Sequence, residues 1–556
     1  MLKRPIRALL EAEHIECAAV IPFSACHVFQ PRKLEYYGLD EARAKSVLIV
    51  AVPYYAGEFP GTRISRYAYG RDYHVYFRAF FARMCEGLRA AFPGYVFGGS
   101  ADNAPIDERH AALTAGLGIL GDNGLLITER YGTYVFLGEI ISDMDAGEWY
   151  EDPAEVTLYE TRTCEHCGAC KRHCPMHGNN PWGIDECLSF VNQTKHIGDP
   201  RYLDYIRYYS AAWGCDRCQS VCPHNRRAEQ SPIPFWHEAL LPYPKAADVA
   251  AMDRETFEER AYAWRKKETI MRNLTLLEAD DAQGYITCET QEAILAVMRE
   301  AGGVMRRAHD VESGEDGSGI EEKPGTANFV TVYDVKIQNL LMERLHTILP
   351  DAAFFAEEKE NDASLLEGGY CFIIDPIDGT TNFIHNYGIS CISVGLLWKG
   401  TPVFGAVYDP YRDEMYHARR GLGACRNGKR ITVSSRPVEK ALFAVGTMPY
   451  YKETLADGTF AMMKTLFMAG ADIRRCGSAA LDLVSVACGR ADGYCELLIS
   501  PWDFAAGALI VEEAGGFVLC TDGKPLDFSH PCGVIAGTAL TKDILCRAAA
   551  DAVRGV

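Results

Sequence analysis

The sequence has no apolar run long enough to span a bilayer, so it offers no candidate transmembrane helix. Its opening, MLKRPIRALLEAEH, sets Glu11 and Glu13 where a secretory signal needs an uninterrupted apolar core. Both absences predict a cytoplasmic protein of a reducing compartment, with no membrane partner. Positive charge is also scarce: 56 lysines and arginines face 75 aspartates and glutamates, for a formal net charge of -19. The acidic excess holds on both sides of Asp280, so a nucleic-acid partner needs a local basic patch. Arg63, Arg66 and Arg71 form one candidate and Arg226 with Arg227 another, although clusters this short are more often solvated surface. The remaining composition, 48% hydrophobic and 24% charged over 556 residues, is that of a soluble globular chain too long for one ordinary core.

Cysteine, in contrast, is abundant at 21 residues, and eight of these lie between Cys164 and Cys222. Cys164, Cys167, Cys170 and Cys174 follow C-x2-C-x2-C-x3-C-P. Cys187 stands alone in DECLSF, and Cys215, Cys218 and Cys222 follow in CDRCQSVCPHN. The first spacing is that of two-cluster ferredoxins, where three thiolates hold one cubane and the fourth reaches across to another. That crossover assigns Cys164, Cys167, Cys170 and Cys222 to one 4Fe-4S cluster, and Cys174, Cys187, Cys215 and Cys218 to a second. C-x2-C pairs also suit tetrahedral zinc, but zinc needs no three-thiol run followed by Cys-Pro. The other thiols, such as Cys17, Cys85, Cys371 and Cys488, are scattered among apolar residues, as small buried side chains are.

Upstream of the thiols, SVLIVAVPYY (Ser46 to Tyr55) reads as a buried strand. RYAYGRDYH turns around Gly70 into a helical pattern that runs on through Met84. From Ala101 to Asp143 the chain is glycine-rich, then alternating, which predicts hairpins lining a pocket and close approach to a large flat ligand. Asp102, before Asn103-Ala104-Pro105, suits a cap for the following helix. Together, RYAYGRDYH, DNAP, GLGILGDNGLLI, YVFLGEI and the double cysteine run resemble the epoxyqueuosine reductase family over about residues 1–275.

That resemblance implies a cobalamin-binding α/β domain over 1–155 and a double 4Fe-4S ferredoxin-like domain over 156–235. It implies an external electron donor, clusters that feed a base-off cobalamin, and removal of the epoxide oxygen from a modified base of tRNA. It also implies that Asp102 donates a proton to the departing oxygen, a role that asks for a carboxyl group kept protonated in a poorly solvated pocket. Two departures stand out. Asp122 lies in GDN where the family commonly has GKN, and the helical-looking stretch from Ala246 to Leu277 is shorter than the repeats with which longer members hold tRNA. Residues 236–284 are read as this helical extension followed by a linker around Asp280 to Tyr285.

In the second half, Thr290 to Ala308 has helical periodicity, whereas 309–325, HDVESGEDGSGIEEKPG, has none and reads as a mobile surface loop. GGYCFIIDPIDGTTNF sets Asp375 and Asp378 at the end of a buried strand, before Gly379, Thr380 and Thr381, whose N–H groups could meet a phosphate. Glu357 and Glu358 add carboxylates, and Asp503 opens the helical stretch WDFAAGALIVEEAGG. Taken singly these are a turn, a solvated pair and a helix cap. Together they offer the hard oxygens that magnesium favours.

The order EE, DPIDGTTNF, GSAALDLVSVACGRADGYCE, WDFAAG resembles the inositol monophosphatase family of magnesium-dependent, lithium-sensitive phosphatases, over a domain at 285–556. The resemblance implies a layered αβαβα fold. It gives Glu357, Asp375, Asp378, Asp503 and the Ile377 carbonyl as Mg2+ ligands, and Asp334 with Thr380 as the pair orienting the attacking water. Gly379, Thr380 and Thr381 would cradle phosphate, while Gly477, Ser478, Ala479 and Glu496 would face the alcohol. Asn328 departs from an acid common in the family. DPIDGTTNF looks closer to the inositol phosphatase branch than to the nucleotide phosphatases. The overall expectation is a multidomain α/β and α+β chain fusing a reductase to a phosphatase for a small phosphorylated alcohol or sugar. The alternative is an iron-sulfur electron-transfer or redox-sensing module fused to a sugar or nucleotide phosphatase.

Overall fold

The computed structural model of the protein describes residues 1–177, 183–311, 320–322 and 329–554. The chain divides into two compact units, Met1–Glu278 and Ala279–Val556. Among the described residues no helix is long and apolar enough to cross a membrane.

The first unit is built on β1 (Cys17–Pro22), β2 (Ser46–Pro53), β3 (Phe97–Ser100), the two-residue strands β4 (Ile119–Leu120) and β5 (Leu126–Ile127), and β6 (Val135–Ser142). The main sheet has the order β1-β2-β6-β3 and is antiparallel throughout, while β4 pairs with β5 and, through Leu120, bridges Thr163 in parallel. All eight residues of β2 are buried. Leu48, Val50 and Val52 pack with Phe77, Phe80 and Met84 of the helix Tyr73–Ala91, and Val47, Ile49 and Ala51 pack with Ala111 and Ala112 of the helix Glu108–Thr114. A strand covered on both faces is apolar at every position, which is why its run does not alternate.

Several expectations for this unit change. The alternating stretch at 135–142 is not a hairpin beside a pocket; it is an interior strand paired on both edges. The glycines expected to admit a flat ligand instead admit neighbouring parts of the chain. A Cβ on Gly116 would meet Tyr159 at 2.5 Å, one on Gly118 the Ile127 carbonyl at 2.3 Å, and one on Gly138 Phe77 at 2.7 Å. The basic run is spent internally: Arg66 pairs with Glu58 and Asp216, and Arg71 with Glu259. The stretch from Ala246 is helical as Ala246–Ala251, Arg254–Glu258 and Lys267–Ala282. The last of these covers the first half of the expected linker, Asp280 to Ala282, and the division between the units falls inside it.

The second unit contains β7 (Ile320–Glu322), β8 (Phe329–Thr331), β9 (Ala353–Ala356), β10 (Tyr370–Asp378), β11 (Cys391–Trp398), β12 (Thr401–Asp409), β13 (Glu414–Arg419), β14 (Ala424–Arg426) and β15 (Lys429–Arg430). These are followed by β16 (Leu442–Val445), β17 (Asp472–Arg474), β18 (Gly493–Ile499), β19 (Phe517–Cys520) and β20 (Cys532–Gly537). One sheet has the order β15-β14-β13-β12-β11-β10-β9, and the other β17-β16-β18-β20-β19. The helices Cys288–Val311 and Val332–Ile348 cover one face of the larger sheet. The helices Ala479–Ala487 and Pro501–Glu513 share a core with both sheets, and Lys452–Ala469 and Lys542–Arg554 cover the far face of the smaller one. The layers therefore alternate αβαβα.

The stretch read as a loop is partly regular. The helix continues to Val311, and β7 pairs antiparallel with β8. Residues 312–319, 323–325 and Asn328 lie outside the described residues.

The central helix Pro501–Glu513 approaches the larger sheet through glycine. A Cβ on Gly405 in β12 would meet the Ala506 carbonyl oxygen at 2.7 Å and its Cα at 2.9 Å. Both are backbone atoms that cannot swing aside. Gly405→Ala is accordingly expected to cost about 1–3 kcal/mol, read as a lower urea midpoint. An unchanged midpoint would show that the helix can shift without loss.

Candidate functional site

In the second unit, β10 ends in Asp375-Pro376-Ile377-Asp378, with a register irregularity against β11 between the two acids. Gly379, at φ +91°, leads into the short helix Thr380–Ile384. A side chain at Gly379 would press on the Ile389 carbonyl at 3.0 Å and the Gly477 carbonyl at 3.2 Å, so both conformation and space require glycine.

Carboxylate oxygens of Asp375, Asp378 and Asp503 lie within 4.8 Å of one another. Each acid is also tied to backbone. Asp375 Oδ1 accepts from Ile377 N at 3.0 Å, Asp378 Oδ2 from Ala480 N at 2.7 Å and from the Ser478 hydroxyl, and Asp503 Oδ2 from Ser500 N at 2.7 Å. Asp503 is thus both a helix-capping group and one of the converging acids, because Ser500 is the cap and Asp503 the third helical residue. Burial holds Asp375 well above the usual carboxylate range, and Glu357, Asp378 and Asp503 push it further. Asp503 is raised in the same way, by burial first and then by Asp378 and Glu357. Such a donor set, all hard oxygen and mutually repulsive, suits a small divalent cation.

The remaining expected residues gather around it. Thr380 Oγ1 lies 3.4 Å from Asp334 Oδ1 and donates to the Ile377 carbonyl at 3.0 Å. Burial pushes Asp334 up to about 6, against the hydrogen bonds it accepts from Thr331. A cavity of about 470 Å³ is lined by Glu357, Asp375, Ile377, Asp378 and Asp503, by Gly379, Thr380 and Thr381, and by Gly477, Ser478, Ala479 and Glu496. Asp334 is not part of that lining. Glu496 accepts from Tyr494 OH at 2.6 Å and from Met448 N at 3.1 Å, and burial raises it. Sequence reasoning missed Tyr450, Tyr451 and Arg475, which line the same cavity. Arg475 directly precedes Cys476-Gly477-Ser478, and that adjacency was the available signal.

In the first unit, Cys164, Cys167, Cys170 and Cys222 line one small cavity. The Cys222 thiol is raised by burial, with Cys167 and Cys164 adding to the effect. The other four thiols form a second neighbourhood: burial, then Cys174 and, less strongly, Cys187, push Cys218 up to about 12, while Cys215 is raised by burial with Cys218 and Cys187 adding to it. The first quartet that the crossover named thus shares one cavity, and members of the second lie within electrostatic reach of one another. Both lie among loops and one-turn helices such as Ala169–His173 and Arg217–Ser220. Asp122, at the first cavity, lies 2.7 Å from His166 Nδ1 and 3.8 Å from the Lys171 ammonium, so the acid at this position has a local cation.

Asp102 does not cap a helix; Asp107 caps Glu108–Thr114. Asp102 adopts φ +67°, its side chain is 61% exposed, and its carboxylate accepts from Tyr73 OH at 3.0 Å and faces His74 Nε2 at 3.6 Å. Hydrogen bonding to His74 holds Asp102 below the usual range, while His74 is pushed up to about 9 by Asp102 and then Asp72. In the protein alone both shifts favour a charged Asp102–His74 pair over the protonated carboxyl that the proton-donor role asks for. Because the folded-state value of His74 is the higher one, the pair contributes in full below about pH 6.5, and that contribution is lost as pH rises through about 9. In Asp102→Asn, the His74 midpoint followed by NMR is expected to fall toward 6.5. A midpoint that stays near 9 would assign the shift to Asp72 alone.

Comparison with known proteins adds two family matches. The inositol monophosphatase family matches residues 286–554, and a region described as epoxyqueuosine reductase QueG, DUF1730, matches residues 41–101. Inositol-1-monophosphatase of Synechocystis sp. is 42% identical over 211 residues, which is 38% of this chain and 73% of that protein. Inositol monophosphatase 3 of Solanum lycopersicum is 37% identical over 231 residues, 41% of this chain and 86% of that protein. The crystal structure of extragenic suppressor protein SuhB from Bartonella henselae aligns at 32% identity with a TM-score of 0.43, over 47% of this chain and 97% of that one.

Proposed function

Since the chain belongs to the inositol monophosphatase family through residues 286–554, we propose that its second unit is a Mg2+-dependent phosphomonoesterase for a small phosphorylated alcohol or sugar. The observation that carries this reading is the convergence of Asp375, Asp378 and Asp503, with Glu357 on the same cavity wall. Magnesium held there supplies charge compensation and acidifies a bound water. The chain's own groups do the rest. Asp334 and the Thr380 hydroxyl, 3.4 Å apart, orient a water and accept its proton, and an acid raised to about 6 is a usable base near neutrality. The Gly379-Thr380-Thr381 turn holds the phosphoryl oxygens, and Glu496 with the Gly477-Ser478 turn receives the alcohol.

The first unit we read as a cobalamin-dependent, iron-sulfur epoxyqueuosine reductase acting on tRNA, supplied by an external electron donor. The match at 41–101 and the two thiol quartets support this. The quartets fit 4Fe-4S clusters by donor number and softness. Gly116, Gly118 and Gly138 are packed against their own chain, so it is the family match that supports the corrinoid. Without a corrinoid, the quartets would serve an electron-transfer or redox-sensing module. The reading divides the first unit into the domains at 1–155 and 156–235.

Three measurements test these readings. Asp375→Asn is expected to lower Mg2+-dependent phosphate release on the order of 100-fold; a fully active variant would remove Asp375 from the site. Calorimetric Mg2+ affinity should be weaker at pH 6 than at pH 8, because carboxyls held protonated by burial and mutual repulsion must release protons to take the cation. The opposite trend would mean that the metal binds elsewhere. Anaerobic purification should yield about eight irons per chain, falling by about four in either Cys222→Ser or Cys187→Ser, whereas zinc in place of iron would overturn the cluster assignment. Cobalamin uptake and conversion of epoxyqueuosine in tRNA then separate a reductase from an electron carrier.

A further inference from the structure

Among the described residues lining the phosphatase cavity, six are acidic, namely Glu357, Asp375, Asp378, Asp482, Glu496 and Asp503, and one is basic, Arg475. Four of the acids belong to the metal set assigned above, so bound cations would answer their charge. Arg475 stands apart from that set. A Cβ on Gly477 would meet Arg475 Nη1 at 2.4 Å, which places the guanidinium directly over the Gly477 turn, on the side of the cavity facing the alcohol.

Its bonding is incomplete. Arg475 Nε donates to Thr447 Oγ1 at 3.2 Å, and among the described residues the guanidinium makes no ion pair. The adjacent Arg474 contrasts with it, being paired with Asp472. Glu496 and Asp482 feel the Arg475 charge, but each is held mainly by burial and by a nearer partner, Tyr494 and Cys476 respectively. Arg475 is exposed and lines the cavity, its guanidinium fork held at Nε by Thr447 with Nη1 beside the Gly477 turn. Such a fork matches the paired oxygens of a phosphate or carboxylate better than a single hydroxyl.

We propose that Arg475 determines specificity by binding a second anionic group on the alcohol part of the substrate, so that the site prefers phosphomonoesters carrying two anionic groups. The inference rests on the phosphatase reading given above. The metals take the phosphoryl group being cleaved, and Arg475 takes the anion that stays on the product. Neutral polyol phosphates lack that contact and bind through Glu496 and the Gly477 turn alone.

The test uses the full chain with Mg2+ and two matched pairs, fructose 1,6-bisphosphate against fructose 1-phosphate, and adenosine 3',5'-bisphosphate against adenosine 3'-phosphate. In the wild-type protein kcat/KM is expected to favour the bisphosphate of at least one pair by about 10-fold, the size of one charge-assisted hydrogen bond. The pair that shows it separates a sugar from a nucleoside substrate. In Arg475→Gln that ratio should collapse toward one, chiefly through KM, and Arg475→Lys should restore part of it. A wild-type ratio at or below one in both pairs would overturn the proposal without reference to any variant, as would a ratio unchanged in Arg475→Gln. If no phosphate is released from these esters or from inositol 1-phosphate, it is the phosphatase reading that fails.

Discussion

The second unit is organised by the cost of placing acids at the buried end of β10. Asp375 and Asp378 are buried, and Asp503 converges on them. Like charges this close, out of water, repel and drive one another toward protonation. The fold offsets part of that cost locally. Each of the three acids is tied to a backbone N–H, two of them at the start of a helix, where unpaired N–H groups and the helix dipole favour negative charge. The ties are distributed so that the acids are oriented but not neutralised. What remains is an incompletely compensated set, and that is the physical content of a cation site.

Holding those helix starts in place is a matter of backbone distance. The helices Ala479–Ala487 and Pro501–Glu513 are wedged between the two sheets, almost wholly apolar along their lengths. Their N-terminal residues reach the acids only because glycines let backbone approach backbone: Gly405 beneath Ala506, and Gly379 beneath the Gly477 carbonyl. Core packing and site geometry are therefore one constraint. A methyl group at the sheet would displace the helix whose first turn carries Asp503.

How much of this the sequence discloses depends on range. The strand at Ser46, the helix from Thr290, and the carboxylates in DPIDGTTNF and WDFAAG are visible because each is written in consecutive residues. Tyr450 is not, since nothing local distinguishes a rim residue from a solvated one, and Arg475 is marked only by its adjacency to Cys476-Gly477-Ser478. The glycines between Ala101 and Asp143 misled for a related reason. Glycine records that something comes close, and sequence does not say whether that is a ligand or, as here, Tyr159, Phe77 and a neighbouring carbonyl. Asp102 is a third case: its ionisation is set by His74 and Tyr73, residues remote in the chain whose proximity only folding reveals.

The thiol quartets invert the logic of the acids. Carboxylates of the second unit are positioned by sheets and helices that have cores of their own, so the site follows from the fold. The eight cysteines sit on loops and helices of four or five residues, too short to be stable alone. Each quartet draws on both cysteine runs, so a metal centre at either would tie the two runs together. In such a segment cluster binding is a large part of folding, as with small metal-dependent domains. The acids of the second unit, in contrast, stand on sheets and helices whose cores form without a cation.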